Sequence, residues 1–173
     1  MRRDWDAHYS DAANAALPPA DLLVEVAEML PIGCALDLAC GAGRNAIYLA
    51  ELGWTVTAVD SSRVAISRLR ERASGIRVDA RVADLERREF AIERHGYDLI
   101  CDFYYLQRDL FADIREGVRP GGMVVAAIHL EGSYALRPGE LREEFAGWKV
   151  LFYSEGAEAG RKKRAARVIA RRA

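Results

Sequence analysis

The sequence predicts an α/β fold: a single three-layer α/β/α domain around a mostly parallel seven-stranded sheet, with a C-terminal antiparallel hairpin strand. Three observations lead to this prediction. Short apolar runs typical of buried parallel strands alternate with segments of helical periodicity along most of the 173 residues. The first apolar run ends in a glycine-rich loop that opens a helix. The last two β-rich runs, residues 148–154 and 165–171, are close enough in sequence to pair as a hairpin.

The N-terminal half is predicted to contain three helices and three strands. Apolar residues recur at helical spacing over residues 20–30, after a polar segment that ends at two prolines. Residues 34–38 form a short apolar run, and residues 44–52 have helical spacing and stop before Gly53, a typical helix C-cap. The other elements of this half are a strand over 54–59 that leads to Asp60, a helix capped by Ser61 or Ser62 that reaches residue 73, and a strand over 76–82.

The C-terminal half is predicted to add four strands and two helices. Residues 97–103 form an apolar strand, and residues 106–118 have helical periodicity. We interpret residues 119–122, Arg-Pro-Gly-Gly, as a turn before an apolar strand over 123–130. A short helix over 139–145 and the hairpin complete the order. Strands that alternate with helices in this way indicate a parallel sheet covered on both faces.

Composition and charge narrow the function classes. The formal net charge is −1 and 51% of the residues are hydrophobic, which favours a globular domain without an overall bias toward nucleic acid or membrane. Residues 161–173 carry seven basic residues and no acidic one. Such a segment either contacts phosphate or an anionic substrate, or forms the solvated face of a terminal element. No apolar run approaches about 18 residues. We expect no membrane partner and no nucleic-acid partner, and a monomer or homodimer.

The cysteines and the N-terminal residues bear on cellular location and on metal binding. Cys34, Cys40 and Cys101 are an odd number without the spacing of a metal or redox site, which favours a reducing compartment. Residues 1–10 are polar and lack the apolar core of a signal peptide. No group of His, Cys and carboxylate residues shows ligand spacing, so no metal site is predicted. We expect a soluble, cytoplasmic protein.

The central feature of the sequence is the glycine loop that follows the first predicted strand. Gly41 and Gly43 allow a tight turn and a close approach of a ligand to the backbone, and the helix start at Arg44 offers N–H groups. Asp60 follows Gly41 by 19 residues and ends the next strand. This spacing places a carboxylate beside the loop, where it can accept hydrogen bonds from two ribose hydroxyls.

Glycine spacing alone leaves the ligand open, because residues 41–46 also fit the dinucleotide pattern G-x-G-x-x-A. Asp37, just before the loop, is poorly placed for a pyrophosphate but well placed for a cationic amino-acid ligand. The chain also lacks the separate substrate domain that most dehydrogenases add. The Arg-Pro-Gly-Gly segment and the terminal hairpin have no counterpart in the dinucleotide fold. These features favour a cationic cofactor over a nicotinamide or flavin.

Residues 37–43, Asp-Leu-Ala-Cys-Gly-Ala-Gly, resemble the D-x-x-C-G-x-G motif of the class I S-adenosyl-L-methionine (SAM)-dependent methyltransferases, a family with a Rossmann-like fold. Asp60 and residues 83–85, 97–100 and 119–122 are similar to the later motifs of that family. The loop with Arg-Asn and the Tyr-Leu-Ala that follows resembles more narrowly the tellurite-resistance (TehB-type) and thiopurine-like small-molecule methyltransferases. The resemblance covers nearly the whole chain and implies one methyltransferase domain over residues 1–173.

The resemblance implies roles for particular residues. Residues 1–30 would be an N-terminal cap segment and helix, in which Trp5 and Tyr9 are similar to a W-x-x-x-Y element. The residues implied to bind SAM are Asp37, Ala39, Gly41, Gly43, Arg44 and Asn45 for the methionine moiety, Asp60 and Ser61 for the ribose, Asp84 and Leu85 for the adenine, and Cys101 and Phe103 beneath the sulfonium.

Each of these roles has a structural alternative. The carboxylates of Asp37 and Asp60 could cap local backbone amides or a helix, and that of Asp84 could be a plain loop carboxylate. Trp5 and Tyr9 either cover the cofactor or pack the N-terminal segment against the domain.

The substrate leaves a weaker trace, because methyl transfer from a sulfonium needs alignment rather than an obligatory catalytic triad. A general base is needed only when the acceptor carries a proton of high pKa. Residues 102–108 resemble the D-P-P-Y motif of amino methyltransferases without either proline, which argues against adenine or glutamine as acceptor. The candidates for substrate contact or proton removal are Asp102, Tyr104 and His129, with Glu131 beside the last.

The predicted function is SAM-dependent methyl transfer to a small-molecule acceptor, producing S-adenosyl-L-homocysteine. One alternative is a methyltransferase acting on RNA or protein, for which the basic segment at residues 161–173 would supply charge. Another is a non-catalytic SAM-binding module. A third is a nicotinamide-binding oxidoreductase, which is distinguished by the cofactor that raises the melting temperature.

Overall fold

The computed structural model describes residues 4–11, 17–157, 160 and 163–173. The chain divides into two compact units, Met1–Ala91 and Ile92–Ala173. The first unit contains α1 (Trp5–Ser10), α2 (Asp21–Ala27), β1 (Cys34–Leu38), α3 (Arg44–Glu51), β2 (Thr55–Asp60), α4 (Arg63–Arg72) and β3 (Val78–Val82). The second contains β4 (Tyr97–Phe103), α5 (Leu110–Gly117), β5 (Val118–His129), α6 (Glu140–Glu144), β6 (Lys149–Gly156) and β7 (Ala165–Arg171).

In the first unit β2 lies between β1 and β3, and both pairings are parallel. Leu38, the last residue of β1, pairs with Val59, so the carboxyl ends of β1 and β2 lie side by side. Most residues of β1 and β2 are buried, as expected for strands covered on both faces, whereas β3 is largely exposed. As a consequence, the glycine loop after β1 and Asp60 at the end of β2 leave the sheet at the same edge.

In the second unit the strand order is β4-β5-β7-β6. β4 pairs with β5 in parallel, whereas β7 is antiparallel to both β5 and β6. Within this unit β7 alone runs antiparallel to the strands beside it. The expected fold class, a mostly parallel seven-stranded α/β sheet with a C-terminal antiparallel hairpin strand, is confirmed.

Two of the predicted elements were wrong in their extent. The helix expected over residues 106–118 begins only at Leu110, and Val118 already belongs to β5. The turn expected at residues 119–122 lies inside β5 as well. Gly121, with φ of +81°, donates its N–H to the carbonyl of Arg172, whose own N–H donates to Gly122. The glycines thus continue the strand by pairing with residues beyond β7.

The N-terminal segment contains a short helix that the sequence pattern did not indicate. α1 spans Trp5–Ser10, and the Asp4 side chain caps it by accepting a hydrogen bond from the Ala7 N–H at 3.0 Å. Six residues of mostly polar character give too little periodicity to predict a helix from sequence. Tertiary contacts, described below, hold it in place.

The basic C-terminal segment is in large part strand β7. Arg161 and Lys162 lie outside the described residues. Arg172 donates hydrogen bonds to the carbonyls of Arg115 and Val118, at 2.6 and 2.7 Å, where α5 ends and β5 begins. This guanidinium therefore satisfies carbonyls at a helix C-terminus. Within the part of the chain that the structure describes, no helix is long and apolar enough to cross a membrane.

Candidate functional site

The backbone of the glycine loop makes a tight turn between β1 and α3. Ala39, Gly41 and Gly43 all have positive φ, of 48°, 56° and 80°. The Gly43 N–H donates to the Cys40 carbonyl at 3.0 Å and closes the turn. Positive φ is strained for a non-glycine residue, and such strain at Ala39 is typical of functional loops.

Both glycines of the loop are required by close approaches from this chain's own side chains. A Cβ atom at Gly41 would collide with the hydroxyl and ring of Tyr9, and one at Gly43 would collide with Leu69. From the sequence, a close approach of a ligand was the expected reason for these glycines. The structure shows that packing of α1 and α4 on the loop is a further reason for glycine at both positions.

Asp60 joins the glycine loop to the N-terminus of α4. One carboxylate oxygen accepts from the Gly41 N–H and the other from the Ser62 N–H, both at 2.8 Å. The side chain is buried; burial raises the pKa of Asp60 and these two N–H groups lower it. A carboxylate oxygen can accept more than one hydrogen bond. The capping contacts therefore leave acceptor capacity for a ligand hydroxyl.

Asp37, the fourth residue of β1, is 1% exposed, and its Oδ2 atom is buried without a hydrogen-bond partner among the described residues. Burial raises the pKa of Asp37 to about 7, while the Arg44 guanidinium and the Ala46 N–H act to lower it. The charge of Asp60 acts in the same direction as burial, and the pKa of about 7 includes all of these effects. A buried acceptor without a partner is uncommon in native proteins and costs free energy. It is the arrangement that a donor or cation of a ligand would satisfy.

The loop offers acceptors rather than donors. The N–H groups of Cys40, Gly41 and Gly43 donate to Val59, Asp60 and Cys40, respectively. Burial and the charges of Asp37 and Asp60 raise the pKa of the Cys40 thiol, so this cysteine stays protonated. Phosphate binding at a glycine loop depends on backbone N–H groups that point at the anion. With three of them occupied and two carboxyls buried nearby, the site favours a cation.

Arg44 and Asn45 hold the segment that leads to α2. The Arg44 guanidinium donates to the Pro18 carbonyl at 3.1 Å, and the Asn45 side-chain oxygen accepts from the Ala20 N–H at 3.0 Å. Ala20 is the N-cap residue of α2 and has no side chain to cap it, so Asn45 supplies a contact at that helix start. These bonds give both residues a structural task beside the ligand contact that the resemblance implies.

α1 is fastened to α4 and to the glycine loop. Asp6 accepts hydrogen bonds from the Ser62 hydroxyl at 2.5 Å and from the Val64 N–H at 3.3 Å, and the hydroxyl bond lowers the pKa of Asp6. Burial, followed by the charge of Asp60, raises the pKa of Tyr9. The Trp5 ring stacks on Tyr9 with centroids 6.3 Å apart. Tyr9 therefore packs on the loop itself, whereas Trp5 is 38% exposed.

Asp84 and Leu85 follow β3 on the same side of the first unit. The Ala83 N–H donates to the backbone carbonyl of Asp60 at 3.0 Å, which continues the parallel pairing past the strand ends. One Asp84 oxygen accepts from the Glu86 N–H at 3.0 Å, and the other lies 3.5 Å from the Arg87 guanidinium. Leu85 is buried. Ser61 is exposed beside Asp60.

The substrate candidates lie together at the carboxyl ends of β4 and β5 in the second unit. Cys101 and Asp102 are buried, and Phe103 is half-buried. Tyr104 has a positive φ of 67°, donates its N–H to the Ala127 carbonyl at 2.6 Å, and stacks on His129 with ring centroids 4.9 Å apart. Strain at a bulky residue beyond a strand end is typical of a functional position.

Neither Glu131 nor a metal site receives support from the contacts of the described residues. Glu131 is exposed to solvent. Among the described residues, no cluster of three or more His, Cys, Asp or Glu side chains could hold a metal ion.

Sequence reasoning missed the residues that hold the loop from outside. Leu69 and Arg72 of α4 contact Gly43 and Ala42, and Asp6 contacts the N-cap of the same helix. Only Ser62 carried a recognisable signal, as an expected N-cap. The other contacts depend on how α1 and α4 dock, which no local pattern encodes.

A family model described as a methyltransferase domain matches residues 35–122. Over 136 residues the chain is 33% identical to Hemagglutinin 1 of Eikenella corrodens, covering 69% of this chain and 45% of that protein. Over 166 residues it is 27% identical to the probable S-adenosyl-L-methionine-dependent methyltransferase TehB of Haemophilus influenzae, covering 86% and 57%. Over 129 residues it is 37% identical to the ubiquinone biosynthesis O-methyltransferase of Xanthomonas axonopodis pv. citri, covering 69% and 53%. The chain spans about half the length of these curated relatives.

Solved structures show the same fold. The crystal structure of TehB from Haemophilus influenzae matches 98% of this chain and 67% of its own, with a TM-score of 0.79 at 23% identity. A TehB-like SAM-dependent methyltransferase from Corynebacterium glutamicum matches 98% of this chain and 97% of its own, with a TM-score of 0.72 at 18% identity. At these identities the likeness is one of fold.

Proposed function

This chain belongs to the methyltransferase-domain family, and we propose that it binds SAM and transfers the methyl group to a small-molecule acceptor, releasing S-adenosyl-L-homocysteine. The family match confirms the resemblance read from the sequence. The reaction, its acceptor and the residues that carry it are proposed here on the geometry of the two units.

The observation that carries the proposal is the buried Asp37 carboxyl with its unpartnered Oδ2 atom. The methionine moiety of SAM carries an ammonium group and a sulfonium. A cation placed at Oδ2 would satisfy the buried acceptor and favour the ionised carboxylate, whose charge burial now opposes. The same atom would be a poor neighbour for a pyrophosphate, so Asp37 supports SAM over a nicotinamide dinucleotide.

The backbone donors support the same choice. The N–H groups of Gly41 and Gly43, which would bind a pyrophosphate, donate instead to Asp60 and Cys40. The carbonyl groups of Ala39 and Gly41 are acceptors of the kind that an ammonium group needs. We assign the backbone of residues 39–43, with Asp37, to the methionine moiety.

Asp60 and Asp84 are assigned to the nucleoside. Asp60 holds Gly41 and Ser62 and retains acceptor capacity for the ribose hydroxyls, beside the exposed Ser61. The Ala83 N–H bond to Asp60 keeps residues 83–85 next to the end of β2. Asp84 would accept from the adenine amino group and the Leu85 N–H would donate to the ring. Arg44 and Asn45 are proposed to contribute mainly by fixing the start of α3.

Bound SAM would supply an electrophilic methyl group on its sulfonium, and the chain would supply binding and orientation. Cys101 and Phe103 are proposed as the floor beneath the methyl group. The stacked rings of Tyr104 and His129 offer a flat surface on which a planar acceptor could lie. His129 is the candidate to accept the proton that a hydroxyl acceptor loses, with Asp102 as the alternative.

The acceptor is proposed to be a small molecule. The ubiquinone biosynthesis O-methyltransferase, by its name, transfers methyl to oxygen in the synthesis of a small molecule, and the chain is 37% identical to it over 129 residues. The basic segment, which would favour RNA, is partly committed to the fold because Arg172 binds the carbonyls of Arg115 and Val118. We further propose a cytoplasmic monomer or homodimer; the three cysteines form no disulfide bond, which fits a reducing compartment.

The test is a methyl-transfer assay with methyl-labelled SAM and a panel of small phenols, thiols and amines, in which S-adenosyl-L-homocysteine is quantified. The proposal predicts product with at least one acceptor class. With a phenol, His129→Asn should lower turnover about 100-fold if His129 removes the proton. His95→Asn is the matched control, since His95 is exposed.

Two results would contradict the proposal in different ways. Label that enters total RNA or protein and no small molecule would overturn the acceptor class. Cofactor binding without transfer to any acceptor would point to a non-catalytic SAM-binding module.

A further inference from the structure

Helix α4 contacts the glycine loop at both of its ends. At its start, the Ser62 and Gly41 N–H groups donate to the two oxygens of the Asp60 carboxylate, each at 2.8 Å. About two turns later, Leu69 lies against Gly43. The helix therefore packs directly on Gly43 and is linked to Gly41 through the Asp60 carboxylate.

Arg72, the last residue of α4, adds a third contact, to the residue between the two glycines. Its Nη1 atom donates to the Ala42 carbonyl at 2.7 Å. Leu69 and Arg72 are three residues apart and share one face of the helix. Leu69 is fully buried, whereas Arg72 reaches the loop from the surface with its long side chain.

The peptide unit between Ala42 and Gly43 is held at both of its polar atoms. Its carbonyl oxygen accepts from Arg72, and its N–H donates to the Cys40 carbonyl at 3.0 Å. Gly43 has φ of 80° and tolerates a wide range of backbone angles, so it offers little intrinsic resistance to rotation of this peptide. Rotation would break the bond that closes the turn and would reorient Gly43, the N-cap residue of α3.

We propose that Arg72 is a positioning residue of the cofactor site, which holds the Ala42–Gly43 peptide of the glycine loop in the orientation that binds SAM. The inference rests on the proposed function. Arg72 contacts the loop from α4 and is assigned no contact with the ligand. Its effect is therefore to keep the loop preorganised, which lowers the ordering cost of binding.

The chain provides a matched control on the same helix. Arg70 is also exposed, and its Nη2 atom donates to the Ala80 carbonyl at 2.7 Å. The donor, the acceptor type and the distance are the same as for Arg72, but the carbonyl belongs to β3 instead of the loop. Loss of either bond should lower stability by a similar amount, and only loss of the Arg72 bond should loosen the loop.

The experiment compares Arg72→Gln, Arg72→Lys and Arg70→Gln by calorimetric titration with S-adenosyl-L-homocysteine and by amide hydrogen exchange at Gly43. We expect Arg72→Gln to weaken binding about tenfold, the equivalent of one charge-assisted hydrogen bond. Arg72→Lys, which keeps a charged donor, should recover part of the loss. Arg70→Gln should bind within about twofold of the unaltered chain, at a similar melting temperature to Arg72→Gln.

Hydrogen exchange separates this inference from the proposed function. Exchange at Gly43 in the ligand-free protein should be faster in Arg72→Gln than in Arg70→Gln, because the peptide has lost one of its two anchors. Equal exchange in the two variants, or equal binding by them, would overturn the role of Arg72. If the unaltered chain bound no S-adenosyl-L-homocysteine, the proposed function would fail. The exchange comparison would still decide whether Arg72 holds the loop.

Discussion

Binding of SAM should release a proton from Asp37 when the pH is near or below 7. In the ligand-free protein burial raises the pKa of this carboxyl to about 7, so at pH 6 it is mostly protonated. A bound ammonium group favours the carboxylate and lowers that pKa, so protonation and binding compete. The apparent affinity should therefore fall as the pH is lowered, by roughly fivefold between pH 7 and pH 6.

The assay is calorimetric titration at several pH values in buffers of different ionisation enthalpy, which reports the protons released. We expect about 0.9 proton released at pH 6 and about 0.5 at pH 7. An α-amino group titrates near about 7.7–8.0, so below pH 7 the ligand stays protonated. Asp37→Asn is the control and should bind weakly with a flatter pH dependence. The reasoning would be refuted if affinity were flat over this range, or if Asp37→Asn kept the slope.

Three further predictions concern stability. Because burial raises the pKa of Asp37 in the folded protein, the free energy of unfolding should fall as the pH rises from 4 to 7. Asp37→Asn should remove that fall and stabilise the ligand-free protein by up to about 4 kcal/mol at pH 8, since one pKa unit corresponds to about 1.36 kcal/mol. A stability difference between the two proteins that is no larger at pH 8 than at pH 4, measured in urea titrations, would contradict this. Gly41→Ala should lower the free energy of unfolding by about 2 kcal/mol, because the positive φ strains an alanine and its Cβ atom collides with Tyr9. Combination with Tyr9→Ala should recover part of this loss, and strictly additive effects in the double-mutant cycle would contradict the contact. Ser62→Ala should cost about 1–2 kcal/mol by removing the N-cap of α4 and its bond to Asp6, more than Asp6→Ala, and the reverse order in chemical denaturation would be inconsistent with the structure.

Strands β1 and β4 were predictable because burial on both faces of the sheet produces continuous apolar runs in the sequence. Residues 34–38 and 97–103 are short apolar runs, and the structure places β1 and β4 at those bounds. The adjacency of the glycine loop and Asp60 also followed from sequence, because parallel neighbours end at one edge of the sheet. The periodicity at 106–118 overstated α5, since apolar residues at that spacing also occur in the irregular segment before Leu110.

The site was predictable in its residue types and not in its contacts. Asp37 followed from the motif, but its burial, its raised pKa and the lack of a partner for Oδ2 among the described residues depend on how the folded chain surrounds it. The contacts of Tyr9 and Arg72 with the loop join residues about 30 positions apart. Such contacts are determined by how the helices dock, which local sequence patterns do not predict.

Binding of SAM by the buried acidic loop underlies every proposal above, and calorimetric titration of the ligand-free protein measures it. The account predicts micromolar binding of SAM and of S-adenosyl-L-homocysteine, about −8 kcal/mol, lost in Asp60→Ala and retained in Asp79→Ala, an exposed carboxylate on the neighbouring strand. It predicts no binding of a nicotinamide dinucleotide. Absence of heat and of thermal shift with both SAM ligands, or binding of the dinucleotide in their place, would contradict it.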